Sequence, residues 1–173
     1  DWSTGSNPVS PTVSLVAGFN GSVGVYNGST ANLNGGHAIQ LTAYDNSTVN
    51  ISAGNVSGNV IGRFNSTVNM SGGSVGHLNG FNEVTFMVTG GEVGGTVSMQ
   101  DASTADIRNS PIGALVGPPS PPFALISSST GQVTLTSGTL KQGVDARQGS
   151  KIALNSTTVQ GNVIAAPPSV LSI

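Results

Sequence analysis

Seven carboxylates and five fixed cations are all the charged chemistry that 173 residues carry: Asp1, Asp45, Glu83, Glu92, Asp101, Asp106 and Asp145 against Arg63, Arg108, Lys141, Arg147 and Lys151. Polysaccharide lyases and hydrolases need carboxylates clustered with a basic side chain, for proton transfer and charge stabilisation. The nearest approach here is Glu83 with Asp101, 18 residues apart, and Asp45 further back. A row of carboxylates at the corners of a repeat is more simply read as solubilising. His37 and His77 are separated by two repeats, so they do not form the convergent ligand set a metal needs. No Ser-His-Asp arrangement, phosphate loop or nucleotide fingerprint is present. The expectation is a protein that is not an enzyme and uses no cofactor and no metal.

Two other residue sets could do chemistry. Thr48, Thr67, Thr85 and Thr104 recur at offsets of 18 or 19, with Thr30 and Thr134 as extensions of the row. A flat threonine row is what an ice-binding face requires, although threonine also favours strands for its own sake. N-x-[S/T] sequons stand at Asn20, Asn27, Asn46, Asn50, Asn55, Asn65, Asn69 and Asn155. They are possible glycosylation sites, although a repeat rich in Asn, Ser and Thr copies such triplets anyway.

The threonine offsets lead to the elements that must position these residues. Ser47-Thr48-Val49-Asn50-Ile51-Ser52-Ala53-Gly54 is answered by Ser66-Thr67-Val68-Asn69-Met70-Ser71-Gly72-Gly73, 19 residues on. Fixed self-similarity near 20 residues is a solenoid signature. Its marker is a pair of apolar residues flanking one polar residue. The pairs are Val13/Leu15, Ala31/Leu33, Val49/Ile51, Val68/Met70, Phe86/Val88, Ala105/Ile107, Val133/Leu135, Ile152/Leu154 and Leu171/Ile173. Alternation with period two marks a strand with one buried face. A second apolar position (Val56, Val75, Val93, Ile112, Leu140, Val159) and a third (Leu41, Val60, Leu78, Val97, Val116, Val144, Val163) follow, separated by Gly and Ser. Each repeat therefore reads as three short strands and their corners.

One such rung cannot form a core, but stacked rungs make continuous inward columns. The fold class expected is all-β: a parallel β-solenoid of about eight rungs and, at about 4.8 Å per rung, a rod roughly 40 Å long. Asn46, Asn65 and Asn82, one before each of three rungs, suggest a short asparagine ladder. Tyr26 and Tyr44 read as edge packing near corners.

Composition agrees. Charged residues are 7%, against about 25% in ordinary domains, and there are 25 glycines and no cysteine. The net charge of −2 provides no basic footprint for nucleic acid or for an anionic membrane. No apolar run reaches the length of a membrane-spanning helix, so membrane insertion is not expected. Asp1-Trp2-Ser3 reads as a processed terminus after signal-peptide removal, pointing to secretion.

Residues 1–12 lie outside the repeat as a cap or docking arm, and 13–165 form the solenoid. The one irregular step, from Ile107 to Leu135, is nine residues too long and holds Gly117-Pro118-Pro119-Ser120-Pro121-Pro122-Phe123. Consecutive prolines supply no ladder donors, so 117–123 is expected to leave the sheet as a stiff loop presenting Phe123 for lateral contact. Residues 166–173 begin a further rung at Leu171/Ile173, with Pro167-Pro168 either admitting that rung or folding the tail over its own chain.

The S-T-V-N-[I/M]-S-[A/G]-G-x-V-x-G wording resembles the right-handed parallel β-helix of autotransporter passenger domains and other secreted bacterial surface proteins. The resemblance covers roughly residues 13–165 and implies an extracellular adhesin, stalk or matrix component; it carries over no catalytic residue. Shortness and the lack of a following membrane barrel fit a small subunit that polymerises. The expected function is thus an extracellular structural protein whose partners are copies of itself, joined end to end into a filament or surface layer. Trp2, Val13 and Leu15 would meet Val170, Leu171 and Ile173, with Phe123 at the side. The alternative is a monomeric adhesin that binds surface glycans.

Overall fold

The computed structural model describes residues 2–3, 11–17, 20–113 and 123–173. Those residues form 19 strands and no helix. Every strand pairing is parallel, and the strands coil into a β-solenoid of about eight turns with a spacing near 19 residues.

Each turn contributes to three faces. On the first face, Thr12–Leu15 pairs with the start of Thr30–Ala43, which pairs with the start of Thr48–Arg63. Thr67–Met70, Thr85–Val88, Thr104–Arg108, Gln132–Thr136, Lys151–Asn155 and Val170–Ser172 follow in order. Ala31, Val49, Val68, Phe86, Ala105, Val133 and Ile152 form one inward column, all buried. Leu15, Leu33, Ile51, Met70, Val88, Ile107, Leu135 and Leu154 form the other. Phe86 lies between Val68 and Ala105, so a large side chain is flanked by smaller ones, as dense packing requires.

The second face stacks Ala38, Val56, Val75, Val93, Ile112 and Leu140 inward. In the first turn that place falls to Gly21, partner of Ala38, and not to Asn20, whose partner is His37. The third face stacks Val23, Leu41, Val60, Leu78, Val97, Leu125, Val144 and Val163.

Leu125 marks a correction to the expected column. The strand Phe123–Ser127 occupies the position assigned to Val116, which lies outside the described residues. The surplus therefore falls between Ile112 and Leu125. Residues 117–122 also lie outside the described residues. Phe123 itself does not stand out on a loop: its backbone opens a strand and pairs with Gly143, followed by a register shift before Leu125.

From third face to next first face the step is seven residues in every turn: Val23 to Thr30, Leu41 to Thr48, Val60 to Thr67, Leu78 to Thr85, Val97 to Thr104, Leu125 to Gln132, Val144 to Lys151 and Val163 to Val170. This corner is built on left-handed backbone. Asn27 and Gly28, Asp45 and Asn46, Phe64 and Asn65, Asn82 and Glu83, Asp101 and Ala102, and Gln148 and Gly149 are consecutive pairs with positive φ. Four of these corners close by a backbone bond across four residues, as from Ser47 N–H to Tyr44 C=O at 3.0 Å and Ser103 N–H to Gln100 C=O at 3.0 Å. A serine then turns inward: Ser29, Ser47, Ser66, Ser103 and Ser150 are all buried, and Val84 takes the place once. The Ser47 hydroxyl donates to Val25 C=O at 3.0 Å, and Arg63 N–H donates to the Ser66 hydroxyl at 3.0 Å.

Asn46, Asn65 and Asn82 do not form the expected side-chain ladder. They are the left-handed corner residues, joined rung to rung through backbone, as from Asn65 N–H to Asn82 C=O at 3.1 Å. The other two corners are glycine columns in the middle of the rod. A Cβ on Gly73, whose φ is +79°, would lie 2.7 Å from Gly54 C=O. At Gly76 it would collide with Gly58 C=O.

Candidate functional sites: the last turn and the threonine face

The assembly residues expected from sequence divide by burial. Leu15 is buried, and Val13 and Leu171 are half-buried against the core. Val170 is 56% and Ile173 86% exposed. Trp2–Ser3 pairs in parallel with Val23–Gly24, so this part of the arm is a strand on the third face. Thr12 likewise belongs to the first strand, which moves the start of the repeat back by one residue.

At the other extremity Pro167-Pro168, joined by a cis bond, occupies the left-handed corner position of the earlier turns. The tail does not fold back. Val170, Leu171 and Ser172 pair with Lys151, Ile152 and Ala153, continuing the stack. Val163 and Ile164, on the strand Val163–Ala165, are 42% and 38% exposed. Both strands have a ladder partner on one side only among the described residues. Of the residues expected from sequence at this end, Val170 and Ile173 are exposed; Val163, which the sequence placed in the third apolar column, and Ile164, which it did not single out, are exposed as well.

The first face presents two outward columns. One is Thr12, Thr30, Thr48, Thr67, Thr85 and Thr104, six threonines in strict register, then Gln132 and Lys151. Thr12 extends the row; Thr134 does not, because its partner is Asp106 in the neighbouring column. That neighbouring column runs Ser14, Asn32, Asn50, Asn69, Met87, Asp106, Thr134 and Ala153. Here the asparagine ladder does form: Asn50 Nδ2 donates to Asn32 Oδ1 at 2.8 Å, and Asn69 Nδ2 to Asn50 Oδ1 at 2.9 Å. The repeated T-x-N triplet carried that signal.

Met87, 48% exposed, ends the ladder. Above it, Arg108 grips Asp106 through two bonds, Nε to Oδ1 at 3.2 Å and Nη2 to Oδ2 at 2.6 Å. The hydrogen bond, and then the charge, of Asp106 push the Arg108 pKa up. A groove of about 220 Å³ is lined here by Thr104, Asp106, Arg108, Gln132, Thr134 and Thr136.

The remaining candidates stay apart. Glu83 and Asp101 lie on neighbouring turns of one corner but in adjacent columns, with Glu83 N–H donating to Asp101 C=O at 3.0 Å. His37 donates from Nδ1 to Asn20 Oδ1 at 2.9 Å, whereas His77 Nδ1 accepts from Thr96 N–H at 3.0 Å. Among the described residues no three of His, Asp and Glu come together as metal ligands. Tyr26 and Tyr44 stack at 4.8 Å, and Arg63 lies 4.9 Å over Phe81, so one face of each ring is covered by a neighbouring side chain. Of the sequon asparagines, Asn20, Asn27, Asn46, Asn55, Asn65 and Asn155 are exposed. Asn50 and Asn69 are half-buried, with the amide nitrogen committed to the ladder.

No family profile, curated protein or solved structure matches this chain.

Proposed function

We propose that this solenoid is an extracellular structural subunit that extends by end-to-end addition of copies of itself, forming a filament or surface layer. The observation that carries the reading is that the strands Val163–Ala165 and Val170–Ser172 have a ladder partner on one side only among the described residues, with Val163 and Ile164 exposed beside that edge. Open parallel edges with apolar side chains recruit further strands. Head-to-tail contacts that do not close into a ring give filaments. The starting strand Thr12–Leu15 has the same alternation as Val170–Ser172, so stacking one on the other would continue both inward columns.

Charge is also divided along the axis. Residues 1–105 carry five carboxylates and one cation, net −4, whereas 106–173 carry two and four, net +2. Opposite ends of unlike sign favour head-to-tail encounter over head-to-head.

Sedimentation velocity and negative-stain electron microscopy of the purified protein test this. Filaments are expected, and the double variant Val163→Lys/Val170→Lys is expected to give β-rich monomers. A wild-type protein that stays monomeric at every concentration, or a double variant that still assembles, overturns the reading.

A further inference from the structure

We propose that the first face is a docking surface for a neutral, linear, β-linked polysaccharide lying along the rod axis, anchored in the groove at Asp106 and Arg108. This goes beyond the structural reading, since a lateral face has no part in end-to-end contact. Three features carry it.

The outward positions of the first face from Thr12 to Thr104 hold hydroxyls, amides and one methionine, with no charged side chain. Hydroxyls repeat at the parallel-strand spacing of about 4.8 Å, which is close to the rise per sugar of an extended β-1,4-linked chain. The face is also preorganised. Ladder bonds hold Asn32, Asn50 and Asn69, and ordering a surface before contact lowers the cost of binding.

The groove supplies the anchor. Arg108 uses two of its five donors on Asp106, and a carboxylate accepts at about four lone-pair sites, so both groups keep capacity for sugar hydroxyls. Their side chains are 60% and 36% exposed. Because they neutralise each other, an uncharged ligand suits them better than an acidic one. Thr104, Gln132, Thr134 and Thr136 add donors and acceptors around the same cavity. Exposed Met87, the register partner of Asp106, offers an apolar surface for the face of a sugar ring.

The test is co-sedimentation with microcrystalline cellulose and with chitin, using wild type, Asp106→Ala, Thr85→Lys and, on another face, Thr158→Ala. Wild type and Thr158→Ala are expected to bind alike; Asp106→Ala and Thr85→Lys are expected to lose at least tenfold in affinity with unchanged circular dichroism. The single variant Val163→Lys, which lies on the third face, should bind as wild type does, which separates failure of this site from failure of assembly. Absence of binding to both polymers, or binding that Asp106→Ala and Thr85→Lys leave intact, overturns the proposal. So does adsorption to ice without binding to either polymer, which would assign the threonine row to water.

Discussion

The turns between Thr30 and Met99 and those between Gln132 and Ser172 share one strand geometry and differ in almost everything else. The first set has glycine columns at the other two corners, an asparagine ladder outside, and a single cation, Arg63. In the second set the outward column continues as Thr134 and Ala153, Lys141, Arg147 and Lys151 appear, and Asp145 is buried in a bond with Arg147 at 2.7 Å. The inward columns nevertheless keep offsets of 18 or 19 in the first set and 19 in the second. Apolar columns therefore specify the coil, and the corners and outer ladders are local solutions fitted to it.

That contrast can be broken deliberately. The largest effect is expected in the shared element: Phe86→Ala should cost about 3–5 kcal/mol by transfer and cavity terms, read as a lower midpoint in urea unfolding. Next comes the corner chemistry of the first set. Gly73→Ala places a Cβ 2.7 Å from Gly54 C=O on left-handed backbone and should cost about 2–3 kcal/mol. Gly138→Ala, which would meet Ser110 C=O at 3.0 Å, has ordinary φ and should cost under about 1 kcal/mol. Equal losses at the two glycines would erase the difference between the sets.

The outer ladder ranks third. Asn50→Ala removes two half-buried bonds and should cost about 1–2 kcal/mol, while Ala153→Asn, in the same column without asparagine neighbours, should be near neutral. The smallest change has the opposite sign. Ala102, at φ 62°, is a strained corner residue, so Ala102→Gly should raise stability by about 0.5–1 kcal/mol in the same unfolding assay.

The coil was legible because period-two alternation fixes which residues face inward. What alternation cannot do is tell one repeating asparagine from another. Asn46 and Asn50 both recur at the same offset; one is a left-handed corner and the other an outward strand position. Placement relative to Thr48-Val49 separates them, since the strand begins at the threonine. Phe64, Glu83 and Ala102 at positive φ were not legible, because local preference favours Gly and Asn there and rung-to-rung backbone bonds override it. Leu125 was missed because the count ran forward from Ile107 through the long insertion. Counting back seven from Gln132 finds it.

Of the candidate sites, Val170 and Ile173 followed from the period. The Asp106–Arg108 grip needed only the observation that residues two apart on a strand share a face. Its groove needed coordinates, because it depends on how Gln132 and Thr136 of the next turn sit beside it.

The constant seven-residue step gives the rod a seam of fixed pitch along one edge. From Ala31 to Ala38 onward the step from first to second face is seven as well, so the edge between second and third faces absorbs the gains and losses of chain. A gene segment cut at that seam encodes an interchangeable block, and duplicating it would lengthen the rod without disturbing the blocks on either side. Growth by duplication and decoration by insertion are thereby kept on separate edges of one molecule.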